Sequence, residues 1–336
     1  MSNTNAVVPT PEMLVRWRLF HREMLRIRHF EDAATRGMHE KLVLGAVHPS
    51  IGQEAVATGV CAQLRTTDIL LSTHRGHGHT LAKGAQALPM MLELFGKQGG
   101  YCRGKGGSMH IADFSIGMLG ANGVVGANMV IAVGAAHAIK LRKSGEIVAC
   151  FLGDGAINRG PFLEGLNWAQ VFGLPVLFVC EDNSYSATTR THTMTAGPGP
   201  SARATSLGIP TVEVDGNDVV AVDRATQRLA GEIRDGGGPR FLHARTYRLT
   251  GHTAADAAAY RPQSEVEERL PYEPIRRLEA RLIAVGVTTA ELADVAETAR
   301  AEMDAAYVQA KAAPYPEIAI AFEDVQDIGN PCVEAF

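Results

Sequence analysis

Two groups of polar residues follow two consecutive apolar stretches that the sequence predicts to be strands. Asp154 stands between Gly153 and Gly155 after the first stretch, and Asn183 follows the second. In open parallel sheets, ligands bind beyond the carboxyl ends of the strands. Carboxylate and amide oxygens, with a backbone carbonyl after Asn183, are ligands that suit Mg²⁺. A strand, a glycine turn and a helix in succession also favour phosphate binding at the helix N-terminus.

The carboxylate of Asp154 decides which kind of phosphate site the sequence predicts. It would repel a bare pyrophosphate, whereas a divalent cation bound to it would hold the phosphates. A dinucleotide site is disfavoured because Asn158 stands where the GxGxxG pattern needs its third glycine. Without Asn183, Asp154 would be interpreted as an ordinary helix N-cap. Together the two residues predict a site for Mg²⁺ and a diphosphate.

Six short blocks occur in the order in which a known family carries them. They are residues 48–55, 74–78, 104–110, 122–126, 153–156 and 247–252. Over roughly residues 15–310, the chain resembles the α subunit of the two-chain, thiamine-diphosphate-dependent E1 component of 2-oxo acid and acetoin dehydrogenase complexes. The resemblance implies one E1α-type domain over residues 1–336, with residues 313–336 as a C-terminal tail.

The resemblance implies a role for particular residues. Mg²⁺ would be bound by Asp154, Asn183 and the carbonyl of Tyr185. Backbone groups, a guanidinium and imidazoles would hold thiamine diphosphate, and the implied set is His74, Arg75, Gly123, Val125, Asp154, Gly155, Ala156, Asn183, Tyr185 and His252. The catalytic histidines that it implies are His48, His77 and His252.

Three positions depart from the usual pattern of that family. His74 stands where a tyrosine often precedes the diphosphate arginine, and Thr250 stands where a histidine is frequent. Asp182 replaces the asparagine that usually precedes the metal-binding Asn183, so it adds an acid beside the metal. None of these changes removes a principal ligand.

The implied reaction cleaves a carbon–carbon bond next to the carbonyl of acetoin or a 2-oxo acid and passes the fragment to the lipoyl group of an acyltransferase, E2. The glutamate that protonates the cofactor's aminopyrimidine lies on the β chain in this family, and this chain offers no clear replacement. We therefore expect half of an active site, completed by an E1 β subunit in an α₂β₂ heterotetramer. Residues 110–113 with 117–123 look most like acetoin dehydrogenases; pyruvate and branched-chain 2-oxo acid dehydrogenases are the alternatives.

Two other classes of function compete with this interpretation. A scaffold subunit could keep the fold without the chemistry, but the intact Asp154, Asn183, Arg75, His252 and His48 weigh against it. A nicotinamide-dependent oxidoreductase needs the complete glycine fingerprint, which is missing.

The periodicity of apolar residues predicts the elements that must position these groups. We expect strands at residues 69–72, 147–152, 175–180, 211–214 and 240–247, and a loop at 73–80. Helices are expected at residues 12–34, 53–64, 88–96, 127–142, 161–172, 219–234, 265–285 and 289–312. The segments 99–126 and 184–204 are predicted to be irregular. The two apolar strands flanking a helix predict an α/β fold, with a parallel sheet covered by helices on both faces.

Composition excludes several classes of protein. The 336 residues include 32 Lys+Arg against 36 Asp+Glu, a formal net charge of −4, so no field attracts nucleic acid or an anionic membrane. No apolar run reaches the roughly 18–20 residues that span a bilayer. The five scattered cysteines lack CxxC spacing, which favours a reducing compartment. With no secretory signal in the first residues, we expect a cytoplasmic protein without nucleic-acid or membrane partners.

Some motifs also have plain structural interpretations. His74, His77 and His79 could form a metal cluster, although phosphate and substrate contacts are favoured because no cysteine is near. The glycines of residues 104–107 could belong to a flexible loop, or shape a loop near the cofactor. Small residues at 134, 135 and 138 fit a plain core or a subunit interface equally well. The charged segment 265–277 is interpreted as a solvated helix face.

Overall fold

The computed structural model describes residues 9–43 and 45–323, and its centre is a parallel sheet of six strands. The strands, with a separate two-stranded hairpin formed by β5 and β6, are β1 Ile69–Ser72, β2 Met118–Ala121, β3 Val148–Gly153, β4 Val176–Asp182, β5 Tyr185–Ser186, β6 Thr189–Arg190, β7 Thr211–Asp215 and β8 Arg240–Arg245. The sheet order is β2-β1-β3-β4-β8-β7. The predicted α/β fold with a parallel sheet is confirmed.

Helices surround this sheet. They are α1 Pro11–His39, α2 Glu54–Cys61, α3 His77–Ala82, α4 Ala87–Leu94, α5 Ala127–Arg142, α6 Gly160–Val171, α7 Pro200–Ser206, α8 Val219–Arg234, α9 Gln263–Arg269, α10 Pro274–Ala284 and α11 Thr289–Ala312. The predicted bounds of α5, α8 and α11 are confirmed. Side-chain caps explain two of these starts, because Asp218 caps α8 and Thr288 forms a capping box with Glu291 at α11.

The central strands are buried on both faces, so they are continuously apolar. Cys150 and Phe178 belong to a core that also contains Met129 of α5 and Leu166 of α6. Their neighbours along the strands, such as Phe151, point the other way into a second core with α2 and α8. This alternation follows from the two-residue period of a strand, and it fixes the ends of β3 and β4 rigidly.

Three predicted elements are wrong. The helix expected over 265–285 is two helices separated by a 3₁₀ turn, Leu270–Tyr272, because Pro271 and Pro274 lack the N–H that a continuous helix needs. Residues 77–80, expected in a loop, begin the buried helix α3. The irregular segment 99–126 contains the edge strand β2, whose four residues include a glycine.

The segment 184–204 is more ordered than predicted. It contains the hairpin of β5 and β6, a 3₁₀ turn at Thr191–Thr193 and the start of α7. Elsewhere the predicted strands and helices differ from the observed ones by a few residues at their ends, as α1 does, which continues to His39.

The remaining expectations concern the termini and membranes. Residues 324–336, most of the predicted tail, lie outside the described residues, as does Cys332; a 3₁₀ turn occupies Ile318–Phe322. Within the described part of the chain, no helix combines the length and the apolar character needed to cross a bilayer. The interpretation of the chain as one domain stays a prediction.

Candidate active site

A cavity of about 230 Å³ opens at the carboxyl ends of β1, β3 and β4. It lies where the chain changes direction across the sheet, since β2 is on one side of β1 and β3 is on the other. Such a switch point is the usual ligand site of an open parallel sheet. Of the predicted site residues, those that line the cavity are His48, His74, Arg75, Gly123, Val125, Asp154, Gly155, Ala156, Asn183, Tyr185 and His252.

Asp154 and Asn183 form one end of this cavity. Both are buried, and each is held by a hydrogen bond, since the hydroxyl of Thr191 donates to Asp154 and the Asn183 amide donates to Gln53 at 3.1 Å. This orients the amide, and among the described residues its oxygen accepts the N–H of Tyr185 alone, at 3.1 Å. Burial, with Asp182 nearby, raises the pKa of Asp154 to about 7. A buried carboxylate beside an oriented amide oxygen fits a divalent cation, which would stabilise the ionised form.

The hairpin that carries the third predicted ligand is strained. Ser184 and Ala187, on either side of Tyr185 and Ser186, have φ of +67° and +50° although neither is glycine. Such conformations persist only where the surroundings enforce them, and they cluster at ligand sites. The hairpin packs closely on Gly155, where a Cβ atom would lie 2.3 Å from the Ser186 hydroxyl oxygen. Glycine is therefore required at position 155.

Two buried guanidinium groups, those of Arg75 and Arg248, also line the cavity. Arg75 donates to the carbonyls of Pro49 and His252 at 2.5 and 3.3 Å, and Arg248 donates to the carbonyl of Ala187 at 3.0 Å and to the Tyr260 hydroxyl at 2.8 Å. All these partners are neutral. Burial, and then the charge of Arg248, lowers the pKa of Arg75 to about 9, and burial also lowers the pKa of Arg248. Buried cations need an anionic partner, so a diphosphate fits here.

Three imidazoles meet beside Arg75. The ring centroid of His48 lies 4.6 Å from that of His74 and 4.9 Å from that of His252. Burial, followed by the charge of Arg75, lowers the pKa values to about 3 for His48, 2 for His74 and 4 for His252. All three are therefore neutral near pH 7, and Nδ1 of His48 has no hydrogen-bond partner among the described residues.

The same three histidines have ring nitrogens within 4.8 Å of one another, close enough for a metal ion. The charges of Arg75 and Arg248 oppose a cation there. A neutral imidazole can instead donate one hydrogen bond and accept another, which suits the oxygen atoms of a substrate.

His77 and His79 do not join His74 at the cavity. Nδ1 of His77 lies 2.8 Å from a Glu31 oxygen, and its Nε2 lies 2.9 Å from the Ser108 hydroxyl. His79 is paired with Glu181 at 3.2 Å. His74, His77 and His79 therefore do not come together as a metal site. His77 is buried away from the cavity lining, and its contact with substrate stays a prediction.

Sequence reasoning missed several residues of the site. Arg248 and Gln53 lie in the blocks 247–252 and 48–55, but the sequence predicted no role for either residue. Asp182 accepts hydrogen bonds from His243 at 2.8 Å and from the Ser184 N–H at 3.0 Å. Burial raises the pKa of Asp182, but these bonds outweigh burial and leave that pKa below its usual value.

Glu265 is the clearest correction, because it does not lie on a solvated helix face. Its carboxylate accepts from the hydroxyls of Tyr185 at 2.8 Å and Tyr247 at 3.0 Å, and it pairs with Arg190. It thereby joins the hairpin after β4 to the segment after β8. No local sequence signal pointed to this role, since the partners are up to 80 residues away.

Known proteins share this sequence over most of its length. The family model of the dehydrogenase E1 component matches residues 22–319. The α subunit of acetoin:2,6-dichlorophenolindophenol oxidoreductase from Bacillus subtilis is 40% identical over 91% of this chain and 92% of its own. Its namesake from Cupriavidus necator is 42% identical over 88% and 90%. The α subunit of the pyruvate dehydrogenase E1 component from Zymomonas mobilis is 38% identical over 88% and 84%.

Proposed function

The chain belongs to the dehydrogenase E1 component family, and from this premise we propose that it is the α subunit of an acetoin-cleaving E1 enzyme that uses thiamine diphosphate and Mg²⁺. One observation carries the proposal: a single cavity is lined by a buried carboxylate–amide pair, Asp154 and Asn183, and by two buried arginines, Arg75 and Arg248. These are the groups that a metal-bound diphosphate requires. The choice of acetoin is supported by the names of the two oxidoreductase relatives.

The two kinds of group have separate tasks in binding. Asp154, Asn183 and the carbonyl of Tyr185 would hold Mg²⁺, while Arg75 and Arg248 would neutralise the diphosphate and the neutral His252 would donate a hydrogen bond to it. The backbone N–H groups of Gly155 and Ala156 would contact the same phosphates, and the backbone at Gly123 and Val125 would hold the aminopyrimidine. Bound thiamine diphosphate supplies a carbon nucleophile and a ring that accepts electrons from the broken bond.

The neutral imidazoles support acetoin chemistry in particular. Cleaving an α-hydroxyketone requires the hydroxyl proton to leave, whereas a 2-oxo acid loses carbon dioxide and has no such proton. His48 lines the cavity, and burial with the charge of Arg75 lowers its pKa to about 3. A diphosphate bound beside Arg75 would offset that charge and raise the pKa of His48, which a proton acceptor at neutral pH requires. His48 is thus the proposed proton acceptor at the substrate end.

The cavity is incomplete without a second chain. Its acidic lining residues are Asp154 and Glu181 among the described residues, and both are engaged, with Thr191 and His79. E1 α subunits of these complexes work with an E1 β subunit and with E2. We propose that β supplies the carboxylate for the aminopyrimidine, in an α₂β₂ assembly that hands its product to lipoyl groups in the cytoplasm.

Exposed apolar residues beside the cavity support this partner. Val124 and Val125, next to Gly123, are 63% and 45% exposed, and Val130 and Ile131 of α5 are about as open. Contiguous apolar surface of this kind marks interaction sites. Gly134 also lies on the exposed side of α5, with open space where a Cβ atom would stand. This supports the interface interpretation of the helix.

Reconstitution tests the function. The chain is purified alone and co-expressed with its β subunit, and turnover with 2,6-dichlorophenolindophenol is measured on acetoin, pyruvate and a branched-chain 2-oxo acid. We expect no turnover from the isolated chain and turnover of acetoin by the pair. Preference for a 2-oxo acid would replace the substrate assignment, and cofactor binding without any turnover would indicate a scaffold subunit.

A further inference from the structure

Glu93 is a buried carboxylate of α4 that receives an unusual set of donors. It is 0% exposed, and it accepts hydrogen bonds from four backbone N–H groups of one glycine-rich loop. The N–H groups of Cys102 and Gly104 donate to Oε2, each at 2.8 Å, and those of Gly106 and Gly107 donate to Oε1 at 2.6 and 3.2 Å. Successive backbone N–H groups that converge in this way form a concave site for an anion.

The glycines allow the backbone to wrap around this side chain. A Cβ atom at Gly100 would lie 2.4 Å from Oε2 of Glu93, and one at Gly106 would lie 2.6 Å from the carbonyl oxygen of His110. Both distances are too short for any side chain. Only glycine at these two positions lets the loop backbone approach the Glu93 carboxylate this closely. This gives the glycines of residues 104–107 a structural role.

Beyond the carboxylate, the loop runs directly to the cavity. Ser108 pairs with His77, which is anchored by Glu31, and the next residue, Met109, lines the cavity. A Cβ atom at Gly123, in the segment predicted to hold the aminopyrimidine, would lie 3.7 Å from Sδ of Met109. The loop therefore borders the cofactor site, and Glu93 and His77 hold it at two points.

We propose that Glu93 is a positioning residue for the cofactor site, and that its carboxylate takes the place of a bound anion within the loop 102–107. The inference rests on the proposed function, because it assigns the loop to the binding of thiamine diphosphate. Without the carboxylate, four buried donors lack an acceptor, and buried unpaired donors are costly. The loop would then turn towards water and draw Met109 away from the cavity.

Two variants with a matched control test the proposal in the complex of this chain with its β subunit. Glu93→Gln keeps the size of the side chain but points an NH₂ group at two donors, and Glu93→Ala removes the acceptor. The control is Asp68→Asn. Asp68 is also 0% exposed and accepts backbone N–H bonds, from Arg65 at 2.6 Å and Ile147 at 2.9 Å. It also pairs with Arg234 at 2.6 Å, and it precedes β1, at the end of that strand away from the cavity.

The dissociation constant of thiamine diphosphate with Mg²⁺ is measured by calorimetry. We expect it to rise at least about tenfold in Glu93→Gln, the cost of a lost charged hydrogen bond, and to stay unchanged in Asp68→Asn. The melting temperature should fall in both Glu93→Gln and Asp68→Asn, so a loss of stability alone does not distinguish the two variants. An unchanged constant in Glu93→Gln, or an equal rise in the control, overturns the proposal.

Chemical rescue distinguishes the loss of a bound anion from a general loss of order in the loop 102–107. Formate or acetate added to Glu93→Ala should restore cofactor affinity towards that of wild type. A small carboxylate can occupy the space left by the Glu93 side chain and accept hydrogen bonds from the same N–H groups. Formamide at the same concentration should not, and Asp68→Asn should not respond. Equal effects of formate and formamide, or no effect of either, contradict the proposed role of the charge.

Hydrogen exchange of the wild-type complex keeps the test independent of folding in the variants. The amides of residues 102, 104, 106 and 107 should exchange slowly without cofactor, because Glu93 already accepts hydrogen bonds from them. Fast exchange that slows only when cofactor is added would overturn the proposal. Failure of the wild-type complex to bind thiamine diphosphate would instead contradict the proposed function.

Discussion

Nη2 of Arg75 lies 3.4 Å from Nδ1 of His252 and donates to the carbonyl of the same residue at 3.3 Å, although 177 residues separate the two. Arg75 follows β1, and His252 lies beyond β8. The contact therefore joins segments from two distant parts of the sheet at the cavity. It places a guanidinium and an imidazole side by side, where a diphosphate can contact both.

Replacing Arg75 by methionine should weaken cofactor binding without destabilising the empty complex. The guanidinium is buried and its pKa is lowered to about 9, so an apolar side chain of similar length removes a costly buried charge. Loss of the charged hydrogen bond should cost about 1.5–3 kcal/mol, or roughly 10- to 150-fold in the dissociation constant. Calorimetry and thermal unfolding measure the two effects; Arg300→Met, on the surface, is the control. A large drop in melting temperature would contradict this interpretation.

Asp154→Ala should abolish Mg²⁺-dependent binding of thiamine diphosphate. The variant loses an anionic metal ligand, and nothing then bridges the diphosphate to the protein at that end. Asp182→Asn is the matched control, because an asparagine there can still accept from Ser184 and donate to His243. It should keep its cofactor. Wild-type affinity in Asp154→Ala, measured by calorimetry, would exclude the proposed metal site.

His74→Gln should change how stability depends on pH. The pKa of His74 is about 2 in the folded chain against 6.5 for a free imidazole, chiefly because of burial. Between these values the unfolded chain binds a proton that the folded chain does not, so His74 costs stability as pH falls. We therefore compare the free energy of unfolding of wild type with that of the variant. The difference, wild type minus variant, should be constant above about pH 6.5 and should decrease as the pH is lowered from about 6.5 to about 5. A difference independent of pH would contradict it.

Cofactor should protect the segments 184–204 and 250–261 from proteolysis in the complex with the β subunit. Ordering them costs about 1–2 kcal/mol per residue in backbone entropy, and contacts to metal and diphosphate offset part of this. Trypsin at Arg190 and Arg203 reports on the first segment; chymotrypsin at Tyr260 reports on the second. Glu265→Gln should reduce protection of both, because Glu265 joins Tyr185, Arg190 and Tyr247. Equal cleavage with and without cofactor would rule out coupled ordering.

Local sequence predicted most of the sheet and most of the cavity lining. The apolar runs at 147–152 and 175–180 identified two adjacent strands, and the geometry of parallel sheets then placed Asp154 and Asn183 at one edge. The edge strand β2 was missed because its four residues carry no clear alternation. The prediction of one helix over 265–285 is wrong although Pro271 and Pro274 signal the break between α9 and α10.

Buried ionic contacts between distant segments escaped prediction for a physical reason. Glu31, Glu93 and Glu265 look like ordinary helical acids in the sequence, and only folding brings their partners to them. The same holds for Arg248, which has no anionic hydrogen-bond partner in the part of the chain that the structure describes. Spacing along the chain carries no information about such pairs unless a family pattern supplies it.

The exposed valines beside the cavity and on α5 have a consequence for how a cell makes this protein. A parallel sheet joins strands that are far apart along the chain, so it forms slowly compared with local structure. In the proposed assembly the β subunit covers these apolar residues, and before assembly they can bind other exposed apolar segments. Copies synthesised in excess of β would be diverted to aggregation or degradation. Matched translation of the two polypeptides is thus as much a condition of a working enzyme as the metal and the cofactor.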